Sequence, residues 1–403
     1  MTKGRPESYR EALAQPLVRR LWLAGLTSTI GDYVALGALL FLAADRTGLT
    51  IGAAIVVAVG VIPSVLTGVI AGRWLDQFHR ARLLAALQIC GGLIVTLPVL
   101  FEGVAVVFVT AAGLAAVRVA TVAVRSGAMA EGLDDAHRGP LVALLTSTDQ
   151  GAQVVGYLTG AGLYVALGAD AALLLDAGTF VIAAVLLLTL PLPEPEQRPA
   201  PAPVTGGIRA ILAHPVLRLL AVLAILTGLV GSLPEVLAPT VAGPNDPLRP
   251  FVLAAAPAGQ VVAMTVLGRT RMVRRPRVLL FHLAGLTVAL LLAAVARSTA
   301  EVAVANLLIG AGTAWVVGAQ LLFLQLAPAV RMAQITGAMV AGLALADGVG
   351  SLALASIADL AGVSAAYGLG AALLLGSVVV GILVRAREPD IRALDDPAKV
   401  MGR

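Results

Sequence analysis

An all-α integral membrane protein of twelve transmembrane helices, in two six-helix halves with both termini cytoplasmic, is the fold this sequence predicts. Three observations carry that expectation. Of the 403 residues, 59% are hydrophobic and only 13% are charged, against about 25% charged in soluble domains. The apolar residues gather into twelve stretches, each near the roughly 20 residues a helix needs to cross a hydrocarbon core. The basic residues concentrate in every second gap, as the positive-inside rule requires.

In chain order the stretches are 20–43, 50–72, 82–101, 103–126, 141–166, 170–191, 215–240, 249–269, 276–297, 300–325, 333–358 and 362–385. Residues 1–20 are polar and basic, and the apolar run after them is too long for a signal h-region, so it is expected to stay as span 1. Consecutive connections change side, because in lipid a helix satisfies its own backbone and an open loop does not. With the N-terminus inside, Lys and Arg fall in cytoplasmic segments or at cytoplasmic span ends. The exceptions are Arg46, Arg249 and Arg297 outside and Arg118 within span 4.

Pro191 to Ala213 holds six prolines (Pro191, Pro193, Pro195, Pro199, Pro201 and Pro203) and reads as a semi-rigid linker rather than a helix. The expected division is 1–190 for the N-terminal half, 191–213 for a cytoplasmic linker, 214–386 for the C-terminal half and 387–403 for a cytoplasmic tail. The halves repeat weakly. Gly72-Arg73 and Leu83-Leu84 recur as Gly268-Arg269 and Leu279-Leu280, and Asp149 recurs at nearly the same offset as Asp347. Duplicated spans with a midplane site between them are a common transporter plan.

Composition also excludes. The single cysteine, Cys90, allows no disulfide framework, and with His79, His137, His214 and His282 read at loops or span ends, no metal site is expected. No Gly-rich Lys-Ser/Thr phosphate loop is present, which argues against an ATP-driven pump. No histidine lies mid-span and Asp32 and Asp347 lack protease context, so an enzyme is not expected, nor a cofactor. The net charge of +5 sets topology and does not imply nucleic acid.

The stretch Gly72, Asp76, Arg80 and Arg82 resembles the loop motif of the major facilitator superfamily, a Gly, an Asp four residues later and then spaced arginines. Further segments resemble the twelve-span macrolide-efflux and enterobactin-exporter branch: Arg19 to Leu23 leading to Ile30-Gly31-Asp32, Arg125 to Leu133, Thr146 to Gly151, and Leu173 to Phe180. Gln77 stands where the loop motif usually has Arg, Met272 replaces the acid in the second copy, and Tyr157 replaces the proline of the antiporter motif in span 5. The resemblance implies a major facilitator fold. It also implies a secondary active transporter in a bacterial plasma membrane, exporting amphipathic small molecules against protons by alternating access. The alternative on the same fold is an uptake symporter, facilitator or lysolipid carrier. The implied partners are a small-molecule substrate, protons and membrane lipid, with the chain a monomer.

Charge inside a span costs at least about 2.5–3.5 kcal/mol per residue, so each such residue is a functional candidate with a plain alternative. Asp32, halfway along span 1, is a proton or cation site, or a structural hydrogen-bond acceptor. Arg118 is its counter-charge, or a snorkelling arginine; it shares a helix face with Arg125 seven residues on. Asp347 in span 11 is a cavity or coupling acid. Asp149 reads as a helix N-cap or interface residue, Asp176 in span 6 as structural, and Glu235 as an outer-gate residue or a solvated one. Gly72, Asp76, Arg80 and Arg82 form a cytoplasmic gate in which Asp76 meets a helix N-terminus, or a plain basic loop. Gly151, Gly156, Gly160 and Gly162 in span 5 read as helix-packing positions. In span 10, Gly310, Gly312, Trp315, Gly318 and Gln320 read as cavity lining.

Overall fold

A computed structural model describes residues 13–63, 78–132, 135–190, 205–244, 246–267, 276–313, 315, 319 and 332–387. Every regular element among them is helical. They group into two compact units, Met1–Gly48 with Val59–Pro201, and Leu49–Ala58 with Ala202–Arg403. Gly72 and Asp76 of the loop motif lie outside the described residues, as do Gly318 and Gln320.

In the first unit, α1 (Pro16–Thr47) begins with proline, whose missing N–H costs nothing at a first turn. It ends at Gly48, which takes φ 70° and returns its N–H to the Ala44 carbonyl at 2.8 Å. Its 32 residues span about 48 Å at 1.5 Å per residue, well beyond the 20–43 stretch. α3 (Arg80–Val95) is followed by one further turn, Leu97–Leu100, which Pro98 opens at a second-residue position. After it come α4 (Val104–Gly132), α5 (Asp135–Leu167) and α6 (Ala169–Leu188). α1 packs on α4, α5 and α6, and α3 on α4 and α6. Val18, Leu21, Leu84, Val124, Leu141 and Leu187 form a core between them.

The segment Leu49–Ala58 groups with the second unit, although the sequence assigns all of span 2 to the first half. The reason is local. At the start of α2 (Thr50–Val59), Asp359 Oδ1 accepts the Thr50 N–H at 2.7 Å and Oδ2 accepts the Ile51 N–H at 2.9 Å, while the Thr50 and Thr240 hydroxyls lie 2.8 Å apart. A carboxylate on the first free N–H groups of a helix is stabilising on both hydrogen-bond and dipole grounds.

The second unit continues with α7 (Thr205–Ala213), α8 (Pro215–Gly228), α9 (Leu233–Val241), α10 (Arg249–Leu267), α11 (Pro276–Val295), α12 (Thr299–Gly312), α13 (Met332–Ala361) and α14 (Val363–Arg387). One expectation is corrected here. The 191–213 linker becomes helical from Thr205, because its last proline is Pro203 and the segment beyond it packs on α13. Span 7, expected over 215–240, is found as a candidate span over Pro215–Val241 made of two helices. Gly228, Gly231 and Pro234 cluster at the break: glycine weakens a helix interior, and proline lacks the N–H that would continue it. Buried cores lie around Leu217, Leu223, Leu283 and Trp315, and around Leu233, Leu290, Ile309, Tyr367 and Leu374.

Eight helices among the described residues are long and apolar enough to cross a membrane, and three shorter ones are apolar. Their outward faces expose large apolar side chains, including Leu93, Val181, Val262, Phe281 and Leu375. In water so extensive an apolar surface is a liability; facing acyl chains it is what a spanning helix requires.

Candidate functional site

The first unit gathers its membrane-embedded charge at one place. Asp32 and Tyr33 on α1, Arg118 and Arg125 on α4, and Asp149 on α5 all interact electrostatically. Asp32 is attracted by Arg118 and Arg125 and repelled by Asp149; Arg118 is attracted by Asp32, Asp149, Tyr33 and Tyr157. Two carboxylates and two guanidiniums thus lie within electrostatic range of one another, and the set is formally neutral when both acids are ionised. Asp32 is half-buried, and Arg118 keeps an exposed surface.

Small residues make the approach possible. A Cβ at Gly25 would sit 2.9 Å from Arg125 Nη1, so glycine there admits the guanidinium against α1. A Cβ at Gly156 would sit 2.7 Å from the Ile30 carbonyl oxygen, and one at Gly160 would strike the Val34 backbone. These two glycines let α5 cross α1 backbone to backbone, and the Tyr33 and Tyr157 rings stack edge-on at 5.3 Å beside the crossing. Of the four span-5 glycines expected to pack, Gly151 and Gly162 face no described atom within 4 Å; the packing stripe is Gly156 and Gly160.

Of the two readings of Asp149, the N-cap one fails, because α5 begins at Asp135 and runs unbroken through it. Asp149 joins Arg118 and Arg125 in the charge group instead.

The second unit holds Asp347 on α13 differently. Its Oδ1 accepts the Ser232 N–H at 3.1 Å and the Ser232 hydroxyl at 2.7 Å. Ser232 and Ser351 hydroxyls lie 2.6 Å apart, and Ser351 Oγ donates to the Asp347 carbonyl at 2.7 Å. Ser232 sits at the break before α9, so Asp347 places its carboxylate at a helix N-terminus that opens inside a span. Glu235 follows in the first turn of α9, half-buried, where the dipole also favours an acid. The sequence carried a signal for Ser232: Gly228, Gly231 and Pro234 within an apolar run mark a discontinuous helix.

Of the loop-motif arginines, Arg80 is 2% exposed at the first turn of α3, while Arg82 is exposed. Arg249, read as an outer-loop residue, is buried at the start of α10. The span-10 lining is corrected as well. Gly310 abuts the Ala256 backbone, Gly312 abuts Leu286, and Trp315 is a core residue at 1% exposure. Polar pairs that the sequence did not flag include Ser28 with Gln88 (3.0 Å) and Tyr367 with Asn306 (2.9 Å). Among the described residues no cluster of His, Cys, Asp or Glu has a metal-binding arrangement.

Paired helical units, a half-helix opening inside a span and compensated charge within apolar helices define a multi-pass membrane transporter. Residues 21–246 match the family model for the Major Facilitator Superfamily, and the chain belongs to that superfamily. Among solved structures, the nucleoside transporter NupG superposes with a TM-score of 0.67 at 14% identity, covering 91% of this chain and 98% of that one. A bacterial homolog of the human lysosomal transporter Spinster, in an inward-facing and occupied conformation, superposes with a TM-score of 0.67 at 13% identity, covering 95% of this chain and 96% of that one. At such identities the likeness speaks for the fold alone. No curated protein matches the chain by sequence.

Proposed function

We propose that this protein exports amphipathic small molecules across a bacterial plasma membrane in exchange for protons. In this reading it works as a monomer of twelve spans with both termini cytoplasmic, in two halves divided by the Pro-rich segment. The observation that supports it most is the neutral charge group Asp32, Arg118, Arg125 and Asp149. An acid held against arginines in a low-dielectric span is a two-state element. Protonating Asp32 removes its attraction for Arg118, so the arginine must find another anion or the helices must shift. Proton binding and substrate binding at the group then compete, and that competition couples their fluxes. Asp347 and Glu235 belong to the break in span 7, where they hold its geometry. Asp76, with Gly72, Arg80 and Arg82, closes the cytoplasmic side in this scheme. Asp76→Asn then impairs export without impairing insertion, while Met272→Asp matters little.

The test is ethidium movement in everted vesicles from an efflux-deficient host, with and without an imposed pH gradient. Export predicts accumulation inside the vesicles that collapses with the gradient. A second reading, uptake or facilitated transport, draws on the nucleoside transporter among the structural neighbours. It predicts gradient-stimulated or gradient-independent uridine entry into whole cells and no ethidium accumulation in vesicles.

A further inference from the structure

Asp176 on α6 is fully buried, at 0% exposure, and its surroundings are poor in donors. Among the described residues the Thr179 hydroxyl is the one hydrogen-bond donor to Oδ1, at 2.9 Å, and the same hydroxyl lies 2.9 Å from the Asp176 carbonyl oxygen. One hydrogen is thus shared between two acceptors. Oδ2 is buried with no hydrogen-bond partner among the described residues. The carboxyl lies directly on α1: a Cβ at Gly31 would collide with Asp176 Oδ1 and Thr179 Oγ1. The residue after Gly31 is Asp32.

Ionised Asp176 would be an unpaired buried charge with less than one donor to itself, which costs far more than a neutral acid in the same place. Arg19, Arg20 and Arg46 on α1 and Arg80 and Arg82 on α3 lie toward their helix ends, and none is among the groups that act on Asp176. α1 also brings Asp32 and Tyr33, α5 brings Asp149 and Tyr157, and on α3 Cys90 is exposed. Of these Asp32 is the charged group that interacts with Asp176, and it repels. Arg118 and Arg125 act on Asp32 and Asp149.

From this arrangement we propose that Asp176 is held as a neutral acid at the α1–α6 contact, with its proton on the buried Oδ2. The neutral form spares Asp32 the repulsion that an ionised Asp176 would add. Gly31 is the residue that lets the acid lie against α1, since any side chain there would collide with Asp176 Oδ1 and Thr179 Oγ1. The proposal rests on the proton-coupled reading for its purpose, but its test needs no substrate.

The test is infrared difference spectroscopy on the full chain in lipid nanodiscs, unlabelled and with carboxyl-13C aspartate. The expected result is a protonated-carboxyl stretch at neutral pH in the wild type that shifts with the aspartate label. Asp176→Asn abolishes it, and Asp347→Asn and Asp32→Asn leave it in place. Should Asp176→Asn fail to insert, Asp176→Glu keeps the acid, and the band then stops responding to the aspartate label. No labelled protonated-carboxyl band in the wild type at neutral pH would overturn the proposal, as would a band of equal intensity in Asp176→Asn. A metal cation at the site would show ionised-carboxylate bands alone and would overturn it equally. A chain that failed to export would leave the band untouched, so the two readings fail separately.

Discussion

Asp149 and Asp347 occupy corresponding places in the two halves of a weak repeat, yet they do different work. In the first unit, Asp149 joins Asp32 against two arginines, and α1 passes the site as one continuous helix. In the second unit, no arginine among the described residues acts on Asp347. It binds a serine hydroxyl and a backbone N–H, and the span it meets is broken into α8 and α9. The difference teaches how an acid inside a span can be kept in two ways. Paired with cations, it becomes part of a charge balance that one proton can tip. Set at a helix break, it is held by the dipole and by short polar contacts, and it stabilises a bend.

The sharpest way to break this contrast is to remove the cation. Arg118→Gln should lower gradient-driven ethidium export by about tenfold or more, equivalent to about 1.4 kcal/mol of coupling. Adding Asp32→Asn should restore expression and thermal stability without restoring the gradient dependence. The helix crossing that supports the charge group is the next target. Gly160→Ala should lower stability by about 1–3 kcal/mol, because its Cβ meets the Val34 backbone, while Gly162→Ala should change it by less than about 0.5 kcal/mol. Thermal unfolding in detergent separates them. In the second unit, Ser232→Ala should cost about 1 kcal/mol by removing one donor to Asp347, and it should leave the pH dependence of export unchanged. A changed pH profile in that variant would erase the distinction between the units.

The smallest effect lies outside the spans, at Asp246. The Thr299 hydroxyl at 2.6 Å, and then the Leu248 N–H at 2.8 Å, hold its carboxyl below the ordinary carboxylate range. A depressed native value gives stability that is full above about pH 4 and is lost as the pH falls through that lower value. Protection factors of the amides in the first turn of α12 should therefore fall below about pH 4 in the wild type and stay constant there in Asp246→Asn.

Much of this was legible in the sequence because membrane helices are written in composition. The apolar run 20–43 lies inside α1, and Asp32 and Arg118 stood out as charges in apolar runs. What stayed hidden is rotation about the helix axis. Span 6 is apolar on nearly every side, so nothing in Leu173 to Phe180 tells which face carries Asp176, and its burial against Gly31 emerges only from packing. The N-cap reading of Asp149 failed because the start of α5 is polar enough to look like loop. Conversely, the break at Ser232 was written in Gly228, Gly231 and Pro234, but an average over an apolar window passes over such punctuation.

The central claim is that the charge group in the first unit, rather than the acid at the break in the second, couples transport to protons. Its most direct test is ethidium accumulation in everted vesicles, measured against the size of the imposed pH gradient, for Asp32→Asn and Asp347→Asn side by side. The account predicts that Asp32→Asn loses the dependence on the gradient while Asp347→Asn keeps it at a reduced rate. Unaltered gradient dependence in Asp32→Asn would contradict it.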